Sequence, residues 1–348
     1  MATTFKTLNS ANDVASTRTL LHEAIPLTGT IASGTYDDNN IKTYSHGMFE
    51  SVYDYPVLSS SANHIFDIST GYASNSAHAT SSSNQNSKKL NIYSQMAQVL
   101  VGYDATGSIQ SFDRDGDIAD GGDKINEAIF VNFSRLLTKD EIKKGSFSMS
   151  IMTGGAPTAV SDAMTITDDG AASSYKVNSP AGEYGILYTG SAVAGAGVGL
   201  VYYQAGVAVL SGSVFAASQM GNGALVATGF DAIATGSNIE MMADSFRNRL
   251  TNISFNNTVE LNSTVYFCRA SHNEFNYSNN PTYLSDSQIR VKNSTTDNPV
   301  SYVTTVGLYS SDNELLAVAK LSEPLKKDPN TEVTHEFAST SNTSQETK

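Results

Sequence analysis

From Tyr184 to Phe230 the chain contains no Asp, Glu, Lys or Arg, and this stretch restricts the possible folds more than any other feature. It reads YGILYTG, GVGLVYYQAGVAVLSGSVF and GALVATGF, separated by Gly, Ser and Asn. An uncharged run of this length either crosses a bilayer or lies inside a protein. Crossing takes roughly 20 predominantly apolar residues, and Gly195 to Ala217 is long enough to be tested against that requirement. The run fails: Gly195, Gly197, Gly199, Gln204, Gly206, Ser211, Gly212 and Ser213 dilute it, basic flanks are missing, and β-branched residues and tyrosines favour strands. Buried strands joined by glycine turns are expected, as an inserted, uncharged β domain over 156–239.

At 348 residues the chain has room for two domains, or for one with a large insertion. Around the uncharged block the sequence reads as an N-terminal arm (1–36), a discontinuous β-rich core (37–155 and 240–335) and a disordered tail (336–348). In the arm, cap candidates from Asn9 onward precede a mixed run ended by Pro26, which reads as a short helix or an extended arm. Residues 44–58 are aromatic and β-branched without a helical repeat, and Ile65-Phe-Asp-Ile has strand character. The small polar residues of 73–89 predict an exposed loop. Leu90, Tyr93, Met96, Ala97, Leu100 and Val101 then fall on a 3–4 spacing, and Gly102 is a natural helix stop. Ala128–Phe133 reads as a strand and Leu136–Lys143 as a short helix with Thr138 as its cap. The period-two alternation of Gly145–Met152 puts Phe147, Met149 and Ile151 on one face. A short helix near Ile239–Leu250, a strand over Val259–Ala270, and a hairpin about Ser310–Glu314 between Val300–Tyr309 and Leu315–Leu321 complete the reading. The fold class expected is mainly β with a few short helices, a β-rich α+β protein with antiparallel sheets or a sandwich.

Lys and Arg number 21 against 34 Asp and Glu, a net charge of −13, and no basic cluster exceeds a pair such as Lys88-Lys89, Lys143-Lys144 or Lys326-Lys327. Direct nucleic-acid binding and insertion into a membrane are not expected from such a chain. The single cysteine, Cys268, excludes an intrachain disulfide framework and a Cys-based zinc site, and reads as a small buried apolar residue. The opening residues lack the pattern of a secretory signal, so folding in a reducing cytosol is expected. Charged residues make up 16% where about 25% is usual, which suits a surface covered by neighbouring molecules or a β-rich monomer with many polar loops.

The sharpest local cluster is Asp113, Asp115, Asp117, Asp120 and Asp123, which offers hard oxygen ligands to calcium. It fails as an EF-hand, because the sixth position is Ile118 where Gly is required and the twelfth is Lys124 where a bidentate Glu belongs. A solvated acidic turn is the stronger reading, with a weak calcium loop as the alternative and no other cofactor. Histidines 22, 46, 64, 78, 272 and 335 never fall in HxxxH or HExxH spacing. No GxSxG elbow, Walker A pattern or GxGxxG between strand and helix occurs, so no reaction can be named and the chain is read as a non-enzyme. Loops carry binding and aromatics are favoured at interfaces, so Phe275, Tyr277 and Tyr283 in the Asn-rich loop, with Leu20 and Leu21 in the arm, are the candidate contact residues. A second class is a β-sandwich adhesin or fibre that stacks a host glycan on Tyr202 and Tyr203, although aromatics in strands more often fill the core.

Three segments resemble virion structural proteins of T4-like tailed phages, including those of marine cyanobacteria. They are Asn91-Ile-Tyr-Ser-Gln-Met-Ala-Gln-Val-Leu-Val-Gly, Phe130-Val-Asn-Phe-Ser-Arg-Leu-Leu-Thr-Lys-Asp-Glu-Ile-Lys-Lys-Gly-Ser-Phe, and Asn280-Pro-Thr-Tyr through Val306-Gly-Leu-Tyr-Ser-Ser-Asp-Asn-Glu-Leu-Leu-Ala-Val-Ala-Lys-Leu-Ser-Glu-Pro-Leu. The likeness covers most of 40–155 and 240–335, and the last segment is its most specific part. It implies a subunit made in the host cytoplasm and built into the tail, baseplate or neck of the virion as a ring-symmetric homo-oligomer beside other virion proteins. An alternating basic and apolar ending belongs to that group, whereas here Thr334-His-Glu-Phe-Ala-Ser-Thr leads into a polar tail.

Overall fold

The structure, a computed structural model, describes residues 5–26, 38–80, 84–118, 122–152, 163–189, 197–214, 238–276, 284–285, 288–289, 296 and 299–342. The chain divides into two compact units, a smaller one of 1–19 and 260–348 and a larger one of 20–259. In chain order the strands and helices through residue 270 are β1 (Val14–Pro26), β2 (Ile41–Lys42), β3 (Glu50–Tyr53), β4 (His64–Tyr72), α1 (Asn84–Leu100), β5 (Phe112–Asp113), β6 (Lys124–Ile125), β7 (Glu127–Phe133), α2 (Arg135–Thr138), β8 (Glu141–Ile142), β9 (Ser148–Met152), β10 (Ala163–Thr167), α3 (Ala171–Ser174), β11 (Tyr184–Thr189), β12 (Gly199–Tyr202), β13 (Val207–Ser211), α4 (Ile239–Arg249) and β14 (Leu250–Ala270). Then come β15 (Leu284–Ser285), β16 (Gln288–Ile289), β17 (Ser301–Tyr309), β18 (Leu315–Lys327) and β19 (Val333–Asn342). The fold is β-rich α+β, as expected.

The larger unit is organised by one sheet with strand order β14-β9-β10-β11-β12-β13-β7-β4-β3-β2, every neighbouring pair antiparallel. Its central strands are buried on both faces. On one face Ile129, Val131, Val201, Ala208 and Leu210 join Met149, Ile151, Phe246 of α4 and Phe255 of β14. On the other, Phe130, Leu200, Tyr202, Val207 and Val209 pack with Ile92, Tyr93, Ala97 and Leu100 of α1. A strand covered on both sides has no solvent-facing position for a charge, which explains the uncharged composition of β11 to β13. The described strands of the block are therefore no separate insertion: β13 pairs with β7, from Val207 opposite Asn132 to Ser211 opposite Ala128, at the centre of the sheet, while 190–196 and 215–237 lie outside the described residues.

Helix α1 runs as its 3–4 spacing predicts, closed by a Gly102 amide that donates to the Ala97 carbonyl at 2.9 Å, with Gly102 at φ +90°. It begins at Asn84, inside the segment read as an exposed loop. Its first turns are polar, so hydrophobic periodicity could not reveal them, yet Asn86 and Lys89 are fully buried. Burial pulls the Lys89 ammonium down to about 8. The helix lies close on β4, because a Cβ at Gly71 would stand 2.7 Å from the Lys89 carbonyl oxygen and 2.9 Å from the Tyr93 amide. Helix α4 starts where its cap demands, the Asn238 side chain accepting from the Met241 amide at 2.9 Å. Phe147, Met149 and Ile151 share one buried face, as alternation predicts.

Other expectations are decided or corrected. Of the two alternatives for the arm, the described residues take the extended one: a turn closes with the Asp13 amide on the Asn9 carbonyl at 2.7 Å, and β1 then pairs with β14, bringing Ser16 to Thr264 and His22 to Thr258. Pairing with a long strand outweighs a marginal local preference for helix. The helix expected over 136–143 is a single turn, stopped by Lys139 at φ +56°, after which β8 joins β14. The tail is no disordered segment up to Asn342: β19 pairs with β14 from Val333 opposite Ala270 to Asn342 opposite Leu261. The period-two burial of Val333, His335 and Phe337 against exposed Thr334 and Glu336 marks that strand.

Candidate functional site

In the smaller unit the hairpin forms as its turn residues predict, β17 antiparallel to β18, with the Ser310 amide bonded to the Glu314 carbonyl and Asn313 at φ +62°. Beside it lies a groove of about 700 Å³. Its walls are Val303 to Ser311 of β17 and the turn, Phe5 to Leu8 of the N-terminal segment, and Phe275. Cys268, Arg269 and Ala270 of β14 with Val333 and His335 of β19 complete the lining. The volume falls in the range of ligand and peptide sites, and the walls are largely apolar. Phe5 packs on Tyr309 with ring centroids 4.8 Å apart. The charged groups at the rim are satisfied within the unit, Lys6 by Glu274 and Arg269 by Asp13.

Cys268 and His335 sit directly opposite each other in the β14–β19 register, on the groove side. Cys268, read from the sequence as a small buried apolar residue, is half-buried. Burial, then the charge of Asp13, pushes its thiol up, so it stays un-ionised where a nucleophilic cysteine needs a lowered value. Nε2 of His335 is buried without a hydrogen-bond partner. Neither residue has a sequence signal; only the strand register joins them.

The predicted contact residues are placed differently from one another. Phe275 lines the groove, 46% exposed and at φ +53°, whereas Tyr277 and Tyr283 lie outside the described residues. Leu20 and Leu21 stand on β1, exposed at 44% and 50%. Tyr202 and Tyr203 are fully buried in the larger unit, which removes them as stacking platforms for a glycan.

The acidic cluster forms a loop between β5 and β6, with Asp120 outside the described residues. Asp113 and Lys124 are opposite each other in register. The Lys124 ammonium enters the loop where a metal ion would lie, donating to Asp113 Oδ2 at 2.6 Å, the Ile118 carbonyl at 2.9 Å and the Asp117 carbonyl at 3.4 Å. The Asp115 amide donates to Asp113 Oδ1 and the Asp117 amide to Asp115 Oδ1, both at 2.9 Å, while Arg114 binds Asp123. Burial raises the Asp113 carboxyl and the hydrogen bond with Asp115 adds to this, with Lys124 working against both. The loop thus carries its own cation in the twelfth position that disqualified it as an EF-hand. Among the described residues no group of three or more His, Cys, Asp or Glu side chains is arranged to hold a metal. Lys124→Met is expected to destabilise the larger unit by about 2–3 kcal/mol and to open the loop to proteases, because it leaves a buried carboxylate without its counter-charge. Asp113→Asn in the same chain should recover part of the loss, and calcium should not shift the melting temperature of the wild type. Equal losses in the single and double variants would contradict the pairing.

A buried carboxylate with three hydrogen bonds escaped the sequence reading. Asp168 accepts from the Gly145 amide at 2.7 Å, the Phe147 amide at 2.9 Å and the Tyr203 hydroxyl at 3.0 Å. It ties the entry of β9 to the end of β10. In sequence it is one of two adjacent aspartates before a glycine, which reads as a turn.

No helix of the described residues is long and apolar enough to cross a membrane. Comparison with protein-family models, with curated proteins and with solved structures yields no match.

Proposed function

We propose that the chain is a structural component of a tailed-phage virion, assembled as repeated subunits in the tail, baseplate or neck beside other virion proteins. The observation that carries this reading is β1, a 13-residue strand at the end of the sheet order, exposed at every position from Ala15 to Ala24. Long exposed edges are templates for pairing with another chain, and proteins that stay single blunt them with short length, proline or bulges. Here Pro26 ends the strand and Arg18 and Glu23 place charges on it, but the middle of the edge offers Leu20 and Leu21. On this reading the arm contact is a preformed strand edge, which loses little conformational entropy on docking. The un-ionised thiol, the loop satisfied by its own lysine and the low surface charge fit a scaffold better than a reaction centre. The likeness of three segments to virion structural proteins supplies the particle.

The reading is tested by peptide mass spectrometry on gradient-purified particles of the phage that encodes the chain. Recovery of its peptides in proportion to a major shell protein supports it. Absence from the particle, with the chain present in the infected lysate, overturns it.

A further inference from the structure

The larger unit holds two clusters of buried apolar side chains, whereas Val300 is the one fully buried apolar side chain among the described residues of the smaller unit. That unit comprises 1–19 and 260–348 and orders strands β17, β18 and β19 with part of β14. Ordering so many residues costs conformational entropy that burial has to offset, and a two-stranded hairpin does not manage this alone. Instead of a core, the unit has a groove of about 700 Å³ beside the hairpin and an apolar row on β18, whose Leu315 and Val318 pair with Tyr309 and Gly307 of β17. In that row Leu315, Leu316 and Val318 are 52%, 68% and 50% exposed.

We infer that the smaller unit completes its core with a second copy of itself, the row Leu315, Leu316 and Val318 of one hairpin seating in the groove of the other. This deepens the repeated-subunit part of the proposed function and rests on it. Three observations select a second copy over another occupant. The groove and the apolar row that fits it belong to the same unit, so every copy brings both halves of the contact. The unit is close to neutral, with nine basic against twelve acidic residues for a net −3 of the chain's −13, and β17 carries no charge at all. Like units therefore approach with little repulsion. Finally, nine large apolar side chains of this unit, Phe5 and Phe275 among them, are exposed at 36% or more. Seven of them lie in the groove or the row, and at on the order of 50–100 Å² each they offer roughly 350–700 Å², approaching the ~800 Å² per partner of a standard stable interface. Reciprocal use of the contact makes a twofold pair, and sequential use makes a ring.

The full chain is tested by light scattering coupled to gel filtration and by cross-linking through its own thiol. Leu316→Cys should yield, under mild oxidation, a disulfide-linked oligomer whose bond joins position 316 of one copy to Cys268 of another, and Cys268→Ser in the same chain should abolish that bond. Leu316→Asp with Val318→Asp should shift the wild-type oligomer to monomer and leave the melting of the larger unit unchanged, both positions being exposed in the single chain. A wild type that is monomeric at every accessible concentration, or a disulfide only between two copies of position 316, overturns the inference. A self-associating chain that is absent from the particle leaves this inference standing and removes the virion reading, so the two failures are distinct.

Discussion

Replacing Asp168 by Ala is expected to lower the melting temperature of the chain by roughly 10 °C or more, the signature of about 3–5 kcal/mol in a unit of this size. The carboxylate is 1% exposed and answers three donors: the amides of Gly145 and Phe147 and the Tyr203 hydroxyl. Alanine strands all three in the interior, and each unpaired buried donor costs about 1–3 kcal/mol. Tyr203 has no room to turn to another partner, since its hydroxyl already fills the space above Gly185, 2.0 Å from where a Cβ would be. Asp168→Asn keeps the shape and one acceptor and should cost less. The pair of variants also reports a pH effect. Burial raises the Asp168 carboxyl above its unfolded value of 3.8 despite its hydrogen bonds, so between the two values the native state holds more protons than the unfolded one. Stability from this group is therefore greatest below the unfolded value and falls as pH rises through the native one. Chemical denaturation from pH 3 to 7 should show the wild type losing ground relative to Asp168→Asn as pH increases; parallel curves would contradict this.

Gly199→Ala should be as damaging, by a different cause. Gly199 opens β12 in the doubly buried centre of the sheet, opposite Leu210 of β13. An added Cβ would stand 2.4 Å from the Val209 carbonyl oxygen and 3.2 Å from the Leu210 Cα. Those atoms are backbone held in a ladder, with no flexible side chain to give way. The strands must part, and overpacking of this kind costs about 3 kcal/mol or prevents folding. Gly107 is the control: its φ is +84°, but nothing lies within 4 Å of an added Cβ, so Gly107→Ala should cost only about 1–2 kcal/mol. Soluble yield and circular dichroism of the two variants separate these cases. Equal behaviour would show that the close approach at Gly199 does not exist.

Much of the fold was legible because its elements carry local patterns. The 3–4 spacing of α1, the period two of β9 and the turn between β17 and β18 each express a buried face directly in the order of residues. The misreadings, and the choice left open in the arm, share one cause, structure decided by a distant partner. β1 and β19 are both strands because β14 lies beside them, and neither has a continuous apolar face of its own. The uncharged block was recognised as buried strands, but its place at the centre of the sheet depends on pairing with β7, which composition does not encode. At the site level the same division holds. Phe275 was selected from an aromatic-rich loop, and Lys124 was noted as the residue that breaks a calcium pattern. Its insertion into the loop, the facing of Cys268 and His335, and the anchoring by Asp168 exist only once the strands are in register.

Imaging of the intact, purified particle at a resolution that traces this chain is the most direct test of a structural role. The result expected is a fixed, symmetric position in the tail, baseplate or neck, with the β1 edge covered by a neighbouring subunit. Density for every shell and tail component with no position for this chain would contradict it.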